Sequence, residues 1–293
     1  MRYYLLFALL LPVGSSVAQS FSETCLTKNT FQDRYASYSP NGKQIVFESD
    51  RNENWDIYVM DADGDNQLQL TFSDSSDRQP SWHPNGKKIL FESTRNGKNK
   101  LYEITLPNKK VSTVELDIRD DQTPIFARYS PNGKYIGVSL QKNESHSEIA
   151  IFNRKGKLIR QLTFFGLRSY YPNWSPAGDK IVFFSRHETN NEDDQIYLIN
   201  TDGSVLKRII EGPTHNFCPS ISPDGQKVVY AESQENSRPE IFVSEIDGSN
   251  KIRVTNNSDG ETLPSWSPDG EYLLITAYRN GNYEICRIKL DKW

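Results

Sequence analysis

The 293-residue chain sets 34 Lys and Arg against 38 Asp and Glu, for a formal net charge of −4, and its pI is near 5.7. That balance supplies no overall basic field for nucleic acid or anionic lipid, so neither is expected as a partner. Its three cysteines, Cys25, Cys218 and Cys286, are too few for a disulfide-framework domain, and none stands in a CxxC pair of the kind that serves zinc or redox chemistry.

At the N-terminus Arg2 precedes an apolar run from Tyr3 to Val13, followed by Gly14, Ser15, Ser16, Val17 and Ala18. A basic residue, a short apolar core and a small-x-Ala site are the parts of a secretory signal peptide, and cleavage is expected after Ala18. The run is too short for the ~20 apolar residues of a spanning helix. Cys25 follows Glu23 and Thr24, not the small apolar neighbours of a lipidation site. The mature part, residues 19–293, is expected to be a monomer without a membrane span, periplasmic or secreted. In such a compartment one disulfide and one buried thiol is the natural use of three cysteines.

Beyond the leader the chain repeats. Ser39-Pro40-Asn41-Gly42 recurs as HPNG at 83–86, SPNG at 130–133, SPAG at 175–178, SPDG at 222–225 and SPDG at 267–270, with the prolines 44, 47, 45, 47 and 45 residues apart. Proline second and glycine fourth suit a type I β-turn. An alternating run such as Lys43 to Phe47 follows each turn, then a polar turn such as Asp50-Arg51-Asn52-Glu53, then a third strand such as Asp56-Ile57-Tyr58-Val59. A hairpin signal comes next (Asp63-Gly64, Lys155-Gly156, Asp202-Gly203, Asp247-Gly248), and the unit ends in Leu70-Thr71 or its equivalent. Six units of four antiparallel strands, each of about 45 residues, specify an all-β, six-bladed propeller over residues 19–293.

These residues resemble the WD-like (WD40-like) repeat of the TolB-like propeller family: Leu-Thr, then Asp-x-x-Pro-x-Trp-Ser-Pro-Asp-Gly, then Asp-Ile-Tyr-Val-Met-Asp. The resemblance covers the whole mature chain and implies a periplasmic protein that binds partners without catalysis. It departs from TolB in leaving no room for that protein's N-terminal α/β domain. Similar blades also cap some serine peptidases.

The ends of the chain predict how the ring closes. The sixth unit lacks a fourth strand of its own, while Leu26-Thr27 stands thirteen residues before Pro40 as Leu70-Thr71 stands thirteen before Pro84. The N-terminal segment therefore completes the last blade and covers its open edge. Repeat register makes Cys286 the counterpart of Tyr58 and Cys25 the counterpart of Gln69, two residues that face each other across the hairpin centred on Asp63-Gly64. A Cys25–Cys286 disulfide follows, and Cys218 is left as a free buried thiol.

Motifs for catalysis are sparse. GxSxG, HExxH and GxxxxGK[ST] do not occur. His83, His146, His187 and His215 fall in different units without ligand spacing, and Asp61 to Asp65 reads as a hairpin turn, because Leu70 stands where a calcium loop needs glutamate. No metal or other cofactor is expected. Trp82, Trp174 and Trp266 share one repeat position and read as packing between blades.

Positions that vary from unit to unit carry more information about binding. Seven residues before each proline stand Asp33, Asp77, Pro124, Ser169, Asn216 and Glu261, followed by Arg34, Arg78, Ile125, Tyr170, Phe217 and Thr262. These begin the innermost strands, at one mouth of the channel. With Arg51, Arg95, Arg279 and His215 they are expected to form a docking rim for an envelope protein or peptide, or else ion pairs, Asp33 with Arg78 among them, that line a wet channel. Alternatives are a carbohydrate or small-ligand binder, a lyase-type propeller in which Asp33, Asp77 and Glu261 supply the available carboxylates, or an accessory subunit of a separate enzyme.

Overall fold

The computed structural model describes residues 21–188, 193–234, 237–257 and 259–290, so the expected signal peptide lies outside the described residues. The chain forms six four-stranded antiparallel sheets arranged as propeller blades. Blade one is Asp33–Tyr38, Gln44–Ser49, Asp56–Asp61 and Leu68–Gln69, in that order from the channel outwards. The inner strands of blades two to six are Asp77–Trp82, Thr123–Tyr129, Ser169–Trp174, His215–Ile221 and Glu261–Trp266. Among the described residues no helix is long and apolar enough to cross a membrane.

The repeat residues explain themselves once placed. In all six Pro-x-Gly turns the glycine amide donates to the carbonyl of the first turn residue at 2.8–3.0 Å. Gly42 adopts φ +71°, a left-handed conformation that costs glycine least. The serine that opens the turn uses its hydroxyl oxygen to accept the amide of the next strand, as Ser39 does from Gln44 at 2.9 Å. The Leu-Thr signature is a clasp on a buried carboxylate. Thr71 donates to Asp56 at 3.0 Å and accepts the Ile57 amide at 3.0 Å, and Thr163 with Glu148 and Thr255 with Glu240 repeat the arrangement.

Closure occurs as the repeat register requires. Ser22–Cys25 pairs with Asn282–Lys289 to complete blade six, and Thr27 clasps Glu284 at 2.5 Å across 257 residues of chain. Cys25 faces Cys286 and the two form a disulfide, with Cα atoms 3.8 Å apart. Leu26 donates its amide to Ile285 at 2.8 Å, so the cysteines occupy the adjoining non-hydrogen-bonded pair, where opposed side chains stand closer. Cys218 is free and buried.

The apolar cores lie between blades. Val46, Ile57 and Val59 of blade one pack with Trp82, Ile89 and Phe91 of blade two, and Phe47 and Met60 reach the other way to Leu274 and Ile285 of blade six. The tryptophans staple neighbours as well as filling space. The indole N–H of Trp82 donates to the Ser37 carbonyl at 3.2 Å, that of Trp174 to Arg128 at 3.2 Å and that of Trp266 to Ser220 at 3.1 Å.

Every inner strand carries a bulge that the sequence does not announce. Tyr35, Gln79, Phe126, Tyr171, Cys218 and Leu263 share one repeat position, and all have φ between 53° and 61°. Such a conformation is costly for side chains of this kind and persists only where its surroundings hold it. Recurrence in six blades makes it a property of the fold. In two blades the support is visible: the Gln79 amide donates to Glu48 at 2.7 Å, and the Phe126 amide to Glu92 at 2.6 Å.

Candidate functional site

Most residues expected at the strand-start rim are drawn into the blades. Asp33, Asp77, Ser169, Asn216 and Glu261 have no exposed surface. The expected Asp33–Arg78 pair does not form. Asp33 binds Arg51 of its own blade at 3.1 Å, Asp77 binds Arg95 at 2.6 Å and Glu261 binds Arg279 at 2.7 Å. The guanidinium carbons of Arg51 and Arg95 lie 4.5 and 4.8 Å from the ring centroids of Tyr58 and Tyr102. One device is used in three blades, in which an acid at the start of the inner strand fixes an arginine, and in blades one and two that arginine also covers a ring of its own blade. Arg279 also holds Glu23 of the closing strand at 2.8 Å. These arginines therefore brace blades and closure instead of standing free at the rim.

The next position along the inner strand faces the channel mouth. Arg34 pairs with the buried Glu48 at 3.0 Å, and its guanidinium carbon lies 4.0 Å from the Trp55 ring centroid. Arg78 approaches the same ring at 4.9 Å, is exposed, and forms no ion pair among the described residues. Tyr283 lies 6.0 Å from the Arg34 carbon. The cluster of two arginines and two aromatic rings belongs to blades one, two and six. Across the mouth, Tyr170 is 9% exposed and its hydroxyl is held by Gln141 at 2.8 Å, so it is less available than the sequence suggested. Phe217 is half-buried against Phe184, and His215 lies 3.3 Å from Asp193. Trp55 and Tyr283 were missed by sequence reasoning. Their signal is an aromatic residue directly before the acid of the third-strand repeat, Asp56 or Glu284.

Deeper in the channel wall the blades differ in charge. Glu92, 5% exposed, accepts the Phe126 amide and an Asn99 amide N–H at 2.9 Å, and burial pushes its carboxyl up to about 7. Burial also raises Glu48, against the lowering influence of Arg34. The Cys218 thiol is pushed up to about 12 by burial, which leaves it protonated and unreactive near neutrality.

The four histidines stay apart. His83 packs edge-on to Tyr129, His187 stacks on Phe165, and His146 lies 3.7 Å from Glu148. Among the described residues the one grouping of three metal-ligand side chains is Glu23 with Cys25 and Cys286, and both of its sulfurs are taken up in the disulfide.

At the opposite end, the second halves of the inner strands and five of the turn prolines line an open cavity of about 310 Å³. None of the residues expected at the rim lines it.

The family model described as TolB beta propeller domain matches residues 22–213 and 194–292. A Tol-Pal system protein TolB from Desulfosudis oleivorans is 44% identical over 46 residues, which is 16% of this chain and 10% of that protein. The chain thus aligns with only a small part of that relative's length. A putative TolB structure from Agrobacterium tumefaciens superposes with a TM-score of 0.65 at 20% identity, covering 85% of this chain and 79% of the other. An oligogalacturonate lyase in complex with manganese gives 0.64 at 14% identity, covering 94% and 97%. At these identities the likeness of the two structures shows the fold alone. The family match spans nearly all of the described residues, and the chain belongs to the TolB beta propeller domain family.

Proposed function

We propose that this chain is an exported, non-catalytic binding module that receives a protein or peptide of the cell envelope over the strand-start mouth of its channel. In this reading residues 1–18 are removed on export, and the mature propeller acts as a monomer in the periplasm or outside the cell. The observation that carries it is the cluster of Arg34, Trp55, Arg78 and Tyr283, which gathers arginine and large aromatic rings at one mouth. Those residue types dominate the energetics of interfaces, and an exposed arginine stacked on tryptophan is already held in position for a partner. Arg78 has a free charge to offer, which favours an acidic or carboxylate-bearing segment. The Tol-Pal assignment of the relatives supports an envelope partner, and the Cys25–Cys286 bond suits an oxidising compartment.

Site-specific photocrosslinking tests this. A photoreactive residue replacing the exposed Glu53, in the connection that leads to Trp55, should give a discrete adduct in envelope preparations, and Trp55→Ala in the same chain should diminish it. An equal adduct from Lys134, in a turn at the opposite end, would count against the assignment.

A further inference from the structure

The cavity at the turn end of the channel is built to a six-fold plan that one residue breaks. Three positions before the turn proline, the blades present Ser37, Ser81, Arg128, Asn173, Ser220 and Ser265, and all six line the cavity. Four blades thus use serine and one uses asparagine. A structural repeat needs no arginine there, since the backbone carbonyl does the same packing work whatever the side chain: Ser37, Arg128 and Ser220 each offer it to a tryptophan of the following blade.

Arg128 is also the sole charged residue lining the cavity. Its guanidinium donates to its own strand's Ala127 carbonyl at 3.1 Å and lies 5.4 Å from the Tyr171 ring centroid. It forms no ion pair among the described residues. Glu92, the carboxylate whose field reaches it, is buried outside the lining and holds the Phe126 amide instead. The walls combine Tyr35 and Tyr171 rings with hydroxyls that have capacity to spare, and the buried Ser37 hydroxyl has no hydrogen-bond partner. A lone cation, an apolar aromatic wall and convergent hydroxyls in a pocket of this size make a binding site for a small organic anion.

We infer that the turn-end cavity binds a small aromatic or apolar monocarboxylate, with Arg128 taking the carboxylate and the tyrosine rings taking the body of the molecule. This site is separate from the partner-binding mouth and does not rest on that reading.

The probes are benzoate, 4-hydroxyphenylacetate and N-acetylphenylalanine, each beside its primary amide, titrated against the mature protein by ligand-observed NMR. Carboxylates of the set should bind at least tenfold more tightly than their amides, and Arg128→Ser should remove the preference. Because that substitution installs the residue of four other blades, it should leave the thermal unfolding temperature and far-ultraviolet circular dichroism unchanged. Arg128→Asn, with the residue of blade four, gives a second folded variant if the first is unstable. Arg78→Ala should leave carboxylate binding unaltered, which keeps this site distinct from the other mouth. If no acid of the set is preferred to its amide, or the preference survives Arg128→Ser and Arg128→Asn, the inference is wrong.

Discussion

Reduction of the Cys25–Cys286 bond should lower stability substantially without abolishing the fold. The bond spans a sequence separation of 261 residues. For a loop of that length the chain-entropy relation gives about 5.6 kcal/mol, just above the top of the measured range. The bond does not act alone. The ladder from Ser22 to Cys25, the Leu26 amide bond to Ile285 and the Thr27–Glu284 clasp still hold the closing strand after reduction. These contacts keep the native state closed after reduction, so the removal of the cross-link is felt chiefly as entropy regained by the unfolded chain. The expected loss is about 3–5 kcal/mol, because measured effects run below the entropic figure, and it is equivalent to a fall in Tm of roughly 5–9 °C for a domain of this size. Calorimetry of the mature protein with and without a phosphine reductant measures it, with thiols counted after denaturation. The count should be one without reductant, from Cys218, and three with it. Two indistinguishable unfolding transitions at those thiol counts would refute a stabilising closure. Three thiols in the unreduced protein prepared under oxidising conditions would show that the bond does not form at all.

Thr27→Val tests the closing clasp separately: Thr27 is fully buried, and removing its hydroxyl leaves Glu284 and the Ile285 amide each short of a partner. A loss of about 1–3 kcal/mol in urea unfolding is expected, and no change would show that the clasp is dispensable. Glu92 predicts a pH dependence. Its folded-state carboxyl lies at about 7 against an ordinary 4.5, so its contribution to stability is fully present below pH 4.5 and is lost as the pH rises through about 7. The loss corresponds to about 3 kcal/mol, and Glu92→Gln, which keeps a carbonyl for the Phe126 amide, should remove it. Parallel urea titrations from pH 4.5 to 8 should show the variant gaining on the wild type as pH rises; a constant difference would refute the assignment. Arg51→Met should destabilise blade one by about 2–3 kcal/mol, because it leaves the buried Asp33 carboxylate without its cation and with a hydrogen bond from Asn29, whereas Arg78→Met should cost little stability. Similar losses for both variants would mean that the two arginines do not differ as described.

The fold was legible because its signals recur. One tetrapeptide fixed the blade count, and hairpin arithmetic on Tyr58 and Gln69 was enough to place Cys25 opposite Cys286. The site was less legible for three physical reasons. The rim reading paired residues that are neighbours across blades, Asp33 and Arg78, although Asp33, Asp77 and Glu261 each precede an arginine by the same eighteen residues, a spacing that belongs to one blade. Trp55 lies at the end of an irregular connection, where its contact with Arg34 and Arg78 depends on how two blades meet. The inner-strand bulge is imposed by packing on Tyr, Gln, Phe, Cys and Leu alike, and no local preference marks it. Arg128 was visible as the exception to a serine position, but the significance of that exception depends on the cavity it enters.

Affinity for the partner, once crosslinked and purified, tests the proposed function most directly. It should be measured by calorimetric titration against the wild type and against the Trp55→Ala, Arg78→Ala and Lys134→Ala variants. Binding at the strand-start mouth predicts that Trp55→Ala and Arg78→Ala each cost about 2 kcal/mol or more, while Lys134→Ala, in a turn at the far end, costs nothing measurable. Unchanged affinity in the first two with a loss in the third would place the partner on the other end of the channel and contradict the proposal.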